Sequence, residues 1–412
     1  MGQIVLENAT VLDCASGEMR PGVTLLIEGE RIGEIDEARL GGAEARRIDL
    51  GGRTLMPGLI DAHVHVTATM MDFKRIAEEP MTLTTARAQP IMKAMLMRGF
   101  TTVRDAGGAD WGLGAAVEQG LLEGPRLFFS GRALSQTGGH GDLRPRTWSG
   151  DGCGCCVASA ELAVIADGVP AVQKAAREQL RTGASQIKIM ASGGVASPTD
   201  PIDNLQYSDD EIRAIVWEAR SWHTYVMAHV YTAEAIARVV RLGVRSVEHG
   251  NRIDREAAAT VAAHGAFMVP TLITYEALHR EGEQWGMPAV SLGKLGAVRE
   301  AGLQSLEIAR AAGVKMGFGT DLLGETHHYQ SGEFSLRARV LPAIEVIRSA
   351  TVVNAELLNR VGELGVVAPG ALADLIAVDG NPLENIALLE AQGEHLPLIV
   401  KGGQIYKNTL GG

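Results

Sequence analysis

The stretch LIDAHVHV (residues 59–66) has the apolar character of a buried β-strand, yet it carries two histidines. Side chains alternate faces along a strand, so His63 and His65 point the same way, with Cα atoms roughly 6.6 Å apart. Two such imidazoles can converge on one metal ion. The rhythm of the chain around them decides what fold would present them. Seven more short apolar runs follow before about residue 360: FTTVRDA, RLFFSG, QIKIMAS, YVMAHV, SVEHG, AFMVPTL and VKMGFGTD. Amphipathic segments at 159–183, 208–222, 254–264 and 296–312 separate several of them, with a helix-start pattern at Ser208-Asp209-Asp210-Glu211. Strand-like runs alternating with helical ones indicate α/β architecture with a parallel sheet. Eight βα units fit one closed (β/α)₈ TIM barrel over residues 57–360.

The two ends of the chain read differently. Residues 1–56, with IVLENATVLD and VTLLIEGERIGEI, and residues 361–412, with GVVAPGALADLIAVD and LIVKGGQIYKN, show period-two stretches broken by glycine. They are expected to pair as a small β-sandwich domain of antiparallel strands built from both ends. No sequence repeat of 20–50 residues is evident beyond the alternation itself.

Composition narrows the function classes. A chain of 412 residues has room for one large domain and a smaller one. A net charge of −11 with no Lys/Arg stripe leaves no electrostatic footprint for nucleic acid. No apolar run approaches the ~20 residues of a membrane helix, so no membrane partner is expected. The N-terminus enters strand pattern directly, which reads as cytoplasmic; a chain already relieved of a signal peptide would read the same. Four cysteines make no disulfide framework. Cys153, Cys155 and Cys156 crowd into DGCGCCV, but no second ligand pair follows, so a reduced loop is expected rather than a metal clip.

In such barrels the chemistry sits at the C-terminal strand ends. The polar residues there are His63 and His65 (first run), Lys188 (fourth), His229 (fifth), His249 (sixth) and Asp321 (eighth). Each alone has an ordinary reading as a satisfied strand-end histidine, a snorkelling lysine or a helix-capping aspartate. Their convergence is what favours a site. Four imidazoles and a carboxylate suit zinc or a similar divalent ion, with bonds of about 2.0–2.2 Å, and are enough for two. An ammonium at Lys188 would be expelled or deprotonated beside two dications, since unit charges ~4 Å apart interact by about 4 kcal/mol at an effective dielectric near 20. A neutral amine there can react with carbon dioxide or bicarbonate, and the resulting carbamate would bridge two metals.

PGLIDAHVH, the lysine of IKIMASGG, the histidines of MAHVY and VEHG, and GTD in the eighth run resemble the amidohydrolase superfamily, in its binuclear subtype with a carboxylated lysine. The resemblance spans nearly the whole chain. TGGHGD (137–142), MASGGVASPTDP and HVYT resemble, more narrowly, its prolidase-like branch of dipeptidases, which includes hydrolases of N-acyl amino acids and ochratoxin-type amides. It implies that His63, His65 and Asp321 hold one metal and that His229 and His249 hold the other. Carboxylated Lys188 and a hydroxide would bridge both. Asp321 would then act as general base toward that hydroxide and as general acid toward the leaving nitrogen.

The resemblance also places His140 in substrate binding, near the scissile amide or the substrate carboxylate. Tyr231 lies two residues beyond His229 and faces the same side if the strand continues that far; it reads either as a donor to the oxyanion or carboxylate, or as a rim tyrosine. The loop ASGGVASPTD lacks the Gly-Lys-Ser/Thr ending of a nucleotide cradle. His327 and His328 are candidates to line the pocket, and Arg144 and Arg146 to attract a carboxylate. His223, His264, His279 and His395 fall away from strand ends.

The implied activity is hydrolysis of the amide bond of a dipeptide, Xaa-Pro-like, or of an N-acyl amino acid. The alternatives are an ochratoxin-type amide hydrolase or Xaa-basic-residue carboxypeptidase, a mononuclear deaminase or cyclic-amide hydrolase on the same barrel, and a scaffold without activity. A bridging Lys188 has no purpose with one ion, and a scaffold has no need of six ligands. A homo-oligomer is compatible with the resemblance.

Overall fold

Strand Leu59–Val64 is buried along its whole length and pairs in parallel with Phe100–Asp105, which pairs in parallel with Arg126–Phe129. The computed structural model describes residues 2–36, 40–144, 162–197 and 200–410; Arg146 and the three crowded cysteines lie outside them. A second parallel sheet runs in the order Ala163–Ile165, Ala133–Ser135, Ile187–Met190, Val226–Thr232, Ser246–Arg252, Phe267–Val269 and Lys315–Met316. Backbone hydrogen bonds join the two sheets at both sides. Ala62 N donates to Phe318 O (2.8 Å) and Asp321 N to His63 O (2.8 Å), while Ser185 N donates to Phe129 O (2.8 Å).

Each of the eight apolar runs forms a strand, because a run buried on both faces has its backbone groups satisfied only by neighbouring strands. Two further strands, Ala133–Ser135 and Ala163–Ile165, are too short for a sequence pattern to mark. They correct the helix expected over 159–183. Residues 163–165 are extended against 133–135, and the helix Val169–Arg181 begins only after Gly168, at φ 81°, with Pro170 in its first turn. Helix Asp209–Ser221 starts with the expected capping box, Glu211 N on the Ser208 side chain and Ser208 N on the Glu211 carboxylate (2.7 Å).

Both chain ends enter one eight-stranded sheet, in which Thr54–Pro57 pairs antiparallel with Leu375–Val378. The strands are not all antiparallel, as the sequence led us to expect. Ile4–Leu12 runs parallel to both Arg46–Asp49 and Thr54–Pro57, because the chain re-enters beside it in the same direction rather than through a hairpin. Alternation divides the burial: Leu55, Leu375, Ala377, Leu398 and Val400 pack within this sheet's own core, while Met56, Ile376, Val378 and Ile399 pack with Leu96 and Phe100. The end sheet is thus docked against the parallel sheets by an apolar face. Among the described residues no helix is long and apolar enough to cross a membrane.

Candidate metal centre

His63 and His65 leave the first strand on one side, as the alternation requires. Asp321 lies between them, its Oδ1 3.4 Å from His63 Nε2 and 3.3 Å from His65 Nε2. The second ring nitrogen of each histidine is committed elsewhere: His63 Nδ1 is 2.6 Å from Glu248 Oε2, and His65 Nδ1 is 2.9 Å from Gly107 O. A carbonyl oxygen only accepts, so His65 Nδ1 carries a hydrogen. His63 Nε2 is buried and, among the described residues, has no hydrogen-bond partner.

His249 contacts Thr271 Oγ1 through Nδ1 (2.8 Å) and lies 3.8 Å from Asp321 Oδ2. Ligand atoms of His63, His249 and Asp321 all fall within 4.8 Å of one another. His229 joins them from the neighbouring strand, its ring centroid 4.6 Å from that of His249.

The backbone bends to achieve this. Ser246 and Glu248 point inward, so strict alternation would turn His249 away. His249 instead sits at φ 68° and Asp321 at φ 52°, left-handed conformations that cost on the order of 1–3 kcal/mol each. Close approach also demands Gly319, where a Cβ would meet Val269 Cγ1 at 2.5 Å and His63 Cβ at 2.9 Å.

Burial sets the charges. It drives the imidazoles of His229 and His249 well below the usual range, so both are neutral with lone pairs to offer. Burial alone would raise the Asp321 carboxyl, but His63 and His65 beside it hold it well below the ordinary value and therefore ionised. Lys188 is fully buried, and the loss of hydration brings its ammonium down to about 8 against the pull of Glu248 and Asp321. Two neutral imidazoles, an ionised carboxylate and an unpartnered buried Nε2 form a donor set suited to a divalent ion. The residues present therefore fit the metal that the sequence implies.

His140 reaches in from the TGGHGD loop and stacks on His229, with centroids 4.3 Å apart and planes 13° from parallel. Its Nδ1 lies 3.3 Å from Asp200 Oδ2. Strand Val226–Thr232 does extend through Tyr231, whose ring meets His229 edge-on at 5.0 Å and lies over His249 at 5.3 Å. The Tyr231 hydroxyl is 3.0 Å from that of Tyr275. Seven of the eight residues singled out from the sequence are thus joined by ring or ion-pair contacts at one place, and the eighth, Lys188, is buried on strand Ile187–Met190, which pairs with the strand of His229.

The other candidates are engaged with neighbours of their own. His327 is buried and contacts Ala68 O through Nε2 (3.1 Å), while His328 is exposed on Glu325 O. Arg144 pairs with Asp142 (2.7 Å). Sequence reasoning missed Glu248, Arg104, Asp200 and Tyr275. Only Glu248 left a signal, as an acid beside a strand-end histidine.

Comparison with known proteins agrees with this geometry. Residues 54–405 match the amidohydrolase family. Ochratoxinase of Aspergillus niger is 33% identical over 379 residues, covering 86% of this chain and 75% of that protein. The structure of a prolidase complexed with N-methylphosphonate-L-proline is 53% identical, with a TM-score of 0.97 over 99% of this chain and 100% of that one. A Xaa-Pro dipeptidase with methionine bound in its active site is 29% identical, with a TM-score of 0.87 over 99% of this chain and 100% of that one. From the strand-end cluster and from these matches together, the chain belongs to the amidohydrolase family.

Proposed function

We propose that the protein is a metal-dependent hydrolase of the amide bond in Xaa-Pro-like dipeptides or N-acyl amino acids. The observation that carries this reading is the convergence of His63, His65 and His249 on Asp321, beside a buried lysine. The named activities of the prolidase, dipeptidase and ochratoxinase relatives support the substrate class. In this reading the two parallel sheets close as an eight-unit barrel over residues 57–360, and residues 1–56 and 361–412 form a composite β-domain beside it.

His63, His65 and Asp321 would hold one divalent ion and His229 and His249 another, zinc being the best match to the nitrogen-rich donors, with carboxylated Lys188 between them. Bound there, such a pair supplies Lewis acidity toward a carbonyl and makes hydroxide available at neutral pH.

The chain's own groups do the rest. Asp321, ionised in the resting site, takes a proton from the attacking water on its carboxylate and delivers it to the leaving nitrogen, without which an amine does not depart. His140, fixed between His229 and Asp200, lines the side of the substrate amide. Tyr231, kept neutral by burial, donates its hydroxyl hydrogen to the developing oxyanion or to the substrate carboxylate.

A hydrolysis screen of Xaa-Pro, Xaa-Phe, N-acyl amino acids and ochratoxin-type amides, with added zinc and bicarbonate, tests the reading. Release of free amino acid is expected. A zinc-loaded sample inert across the panel overturns it in favour of a scaffold, and full activity with one ion per chain favours a mononuclear mechanism.

A further inference from the structure

Below the metal ligands, one ion pair crosses the interior. Arg104 comes from strand Phe100–Asp105 and Glu248 from strand Ser246–Arg252, and neither side chain has any exposure. Arg104 Nη2 donates to Glu248 Oε1 (2.9 Å) and Oε2 (3.0 Å), and its Nε donates to Ala62 O (2.6 Å) in the first strand. Ser246 Oγ donates to Glu248 Oε1. The remaining approach to Oε2 is taken by His63 Nδ1 at 2.6 Å.

An ionised carboxylate has only acceptors, so every group facing it must donate. His63, at hydrogen-bond distance from Glu248, therefore carries a hydrogen on Nδ1, whereas Nε2, 3.4 Å from Asp321, has no hydrogen-bond partner among the described residues. We infer that Glu248, anchored by Arg104, is a positioning residue that holds His63 in the Nδ1–H tautomer and so keeps a lone pair on Nε2 for the metal. This rests on the reading of His63 as a ligand, although the tautomer itself does not.

The pair has a structural task too, since it ties three strands together. Glu248→Gln separates the two roles. Arg104 Nη2 reaches both oxygens, so Ser246 sets the orientation: with the amide oxygen in the place of Oε1, where Ser246 Oγ donates, the amide NH₂ faces His63. The imidazole then has to accept at Nδ1, which places its hydrogen on Nε2 and seals the ligand atom.

The test measures zinc affinity by competition with a chromophoric chelator, together with the ¹⁵N signals of His63 in the metal-free full-length protein, assigned by comparison with His63→Gln. The wild type is expected to show the Nδ1–H tautomer. E248Q is expected to switch to Nε2–H and lose about ten- to a hundredfold in affinity at one site. A folded E248Q with wild-type affinity overturns the inference. So does an Nε2–H tautomer in the wild type, a measurement that decides the matter even if E248Q does not fold. If His63→Gln itself binds zinc like the wild type, the metal-centre reading fails instead, and the tautomer result stands apart from it.

Discussion

The imidazoles of His140 and His229 lie face to face, 4.3 Å between centroids, although one belongs to a loop and the other to a central strand. What permits the stack is Gly194, over which the His140 ring lies so closely that a Cβ would sit 2.2 Å from Cε1. Gly194→Ala should push His140 off His229 and lower kcat/KM at least about tenfold, while zinc content stays near the wild-type level because the added Cβ meets the His140 ring rather than a proposed ligand. Steady-state kinetics with metal analysis checks both. An unchanged kcat/KM would show that the stack is incidental.

Lys188 is expected to take up carbon dioxide only as the free amine. Burial brings its ammonium to about 8, so in metal-free protein the reactive fraction grows as pH rises through that value. The carbamate signal in ¹³C spectra with labelled bicarbonate should therefore be stronger at about pH 8.5 than at about pH 6.5. Lys188→Ala should lower both bound zinc and turnover by orders of magnitude; retention of both would remove the bridging role.

Tyr231 and Tyr275 share a hydroxyl contact of 3.0 Å, and burial holds both phenols above their usual range. At neutral pH each is a donor. Tyr231→Phe removes a hydrogen bond to a charged group, about 1.5–3 kcal/mol, or roughly ten- to a hundredfold in kcat/KM. Tyr275→Phe leaves the Tyr231 hydroxyl in place and should cost about tenfold or less. Equal losses would mean that the two act as one unit.

His327 gives the protein an acid-sensitive element. Burial lowers its imidazole from 6.5 to about 4, despite the contact with Ala68 O. Between those values the unfolded chain binds the proton that the folded one refuses, so the stabilisation present above 6.5 is lost as pH falls toward 4. The loss between pH 7 and pH 5 amounts to about 2 kcal/mol. Urea unfolding of metal-free protein at the two pH values should show it, and His327→Gln should flatten the difference. An identical slope in the variant would place the acid sensitivity elsewhere.

By itself the sequence determined the strands of the eight apolar runs, the pairing of the chain's two ends, and the strand-end places of His63, His65, Lys188, His229, His249 and Asp321. These were legible because burial imposes a local period, and because parallel strands bring their C-terminal ends to one edge whatever the details between them. His140 and Tyr231 needed family resemblance as well. Only the tertiary structure decided that 163–165 is a strand, that His249 turns inward through a left-handed backbone, and that Arg104, Asp200, Glu248 and Tyr275 brace the site. The Glu248 carboxylate meets His63 across 185 residues of chain and Arg104 across 144. A period records which face of an element is buried, and nothing in it says which distant side chain waits on the other side.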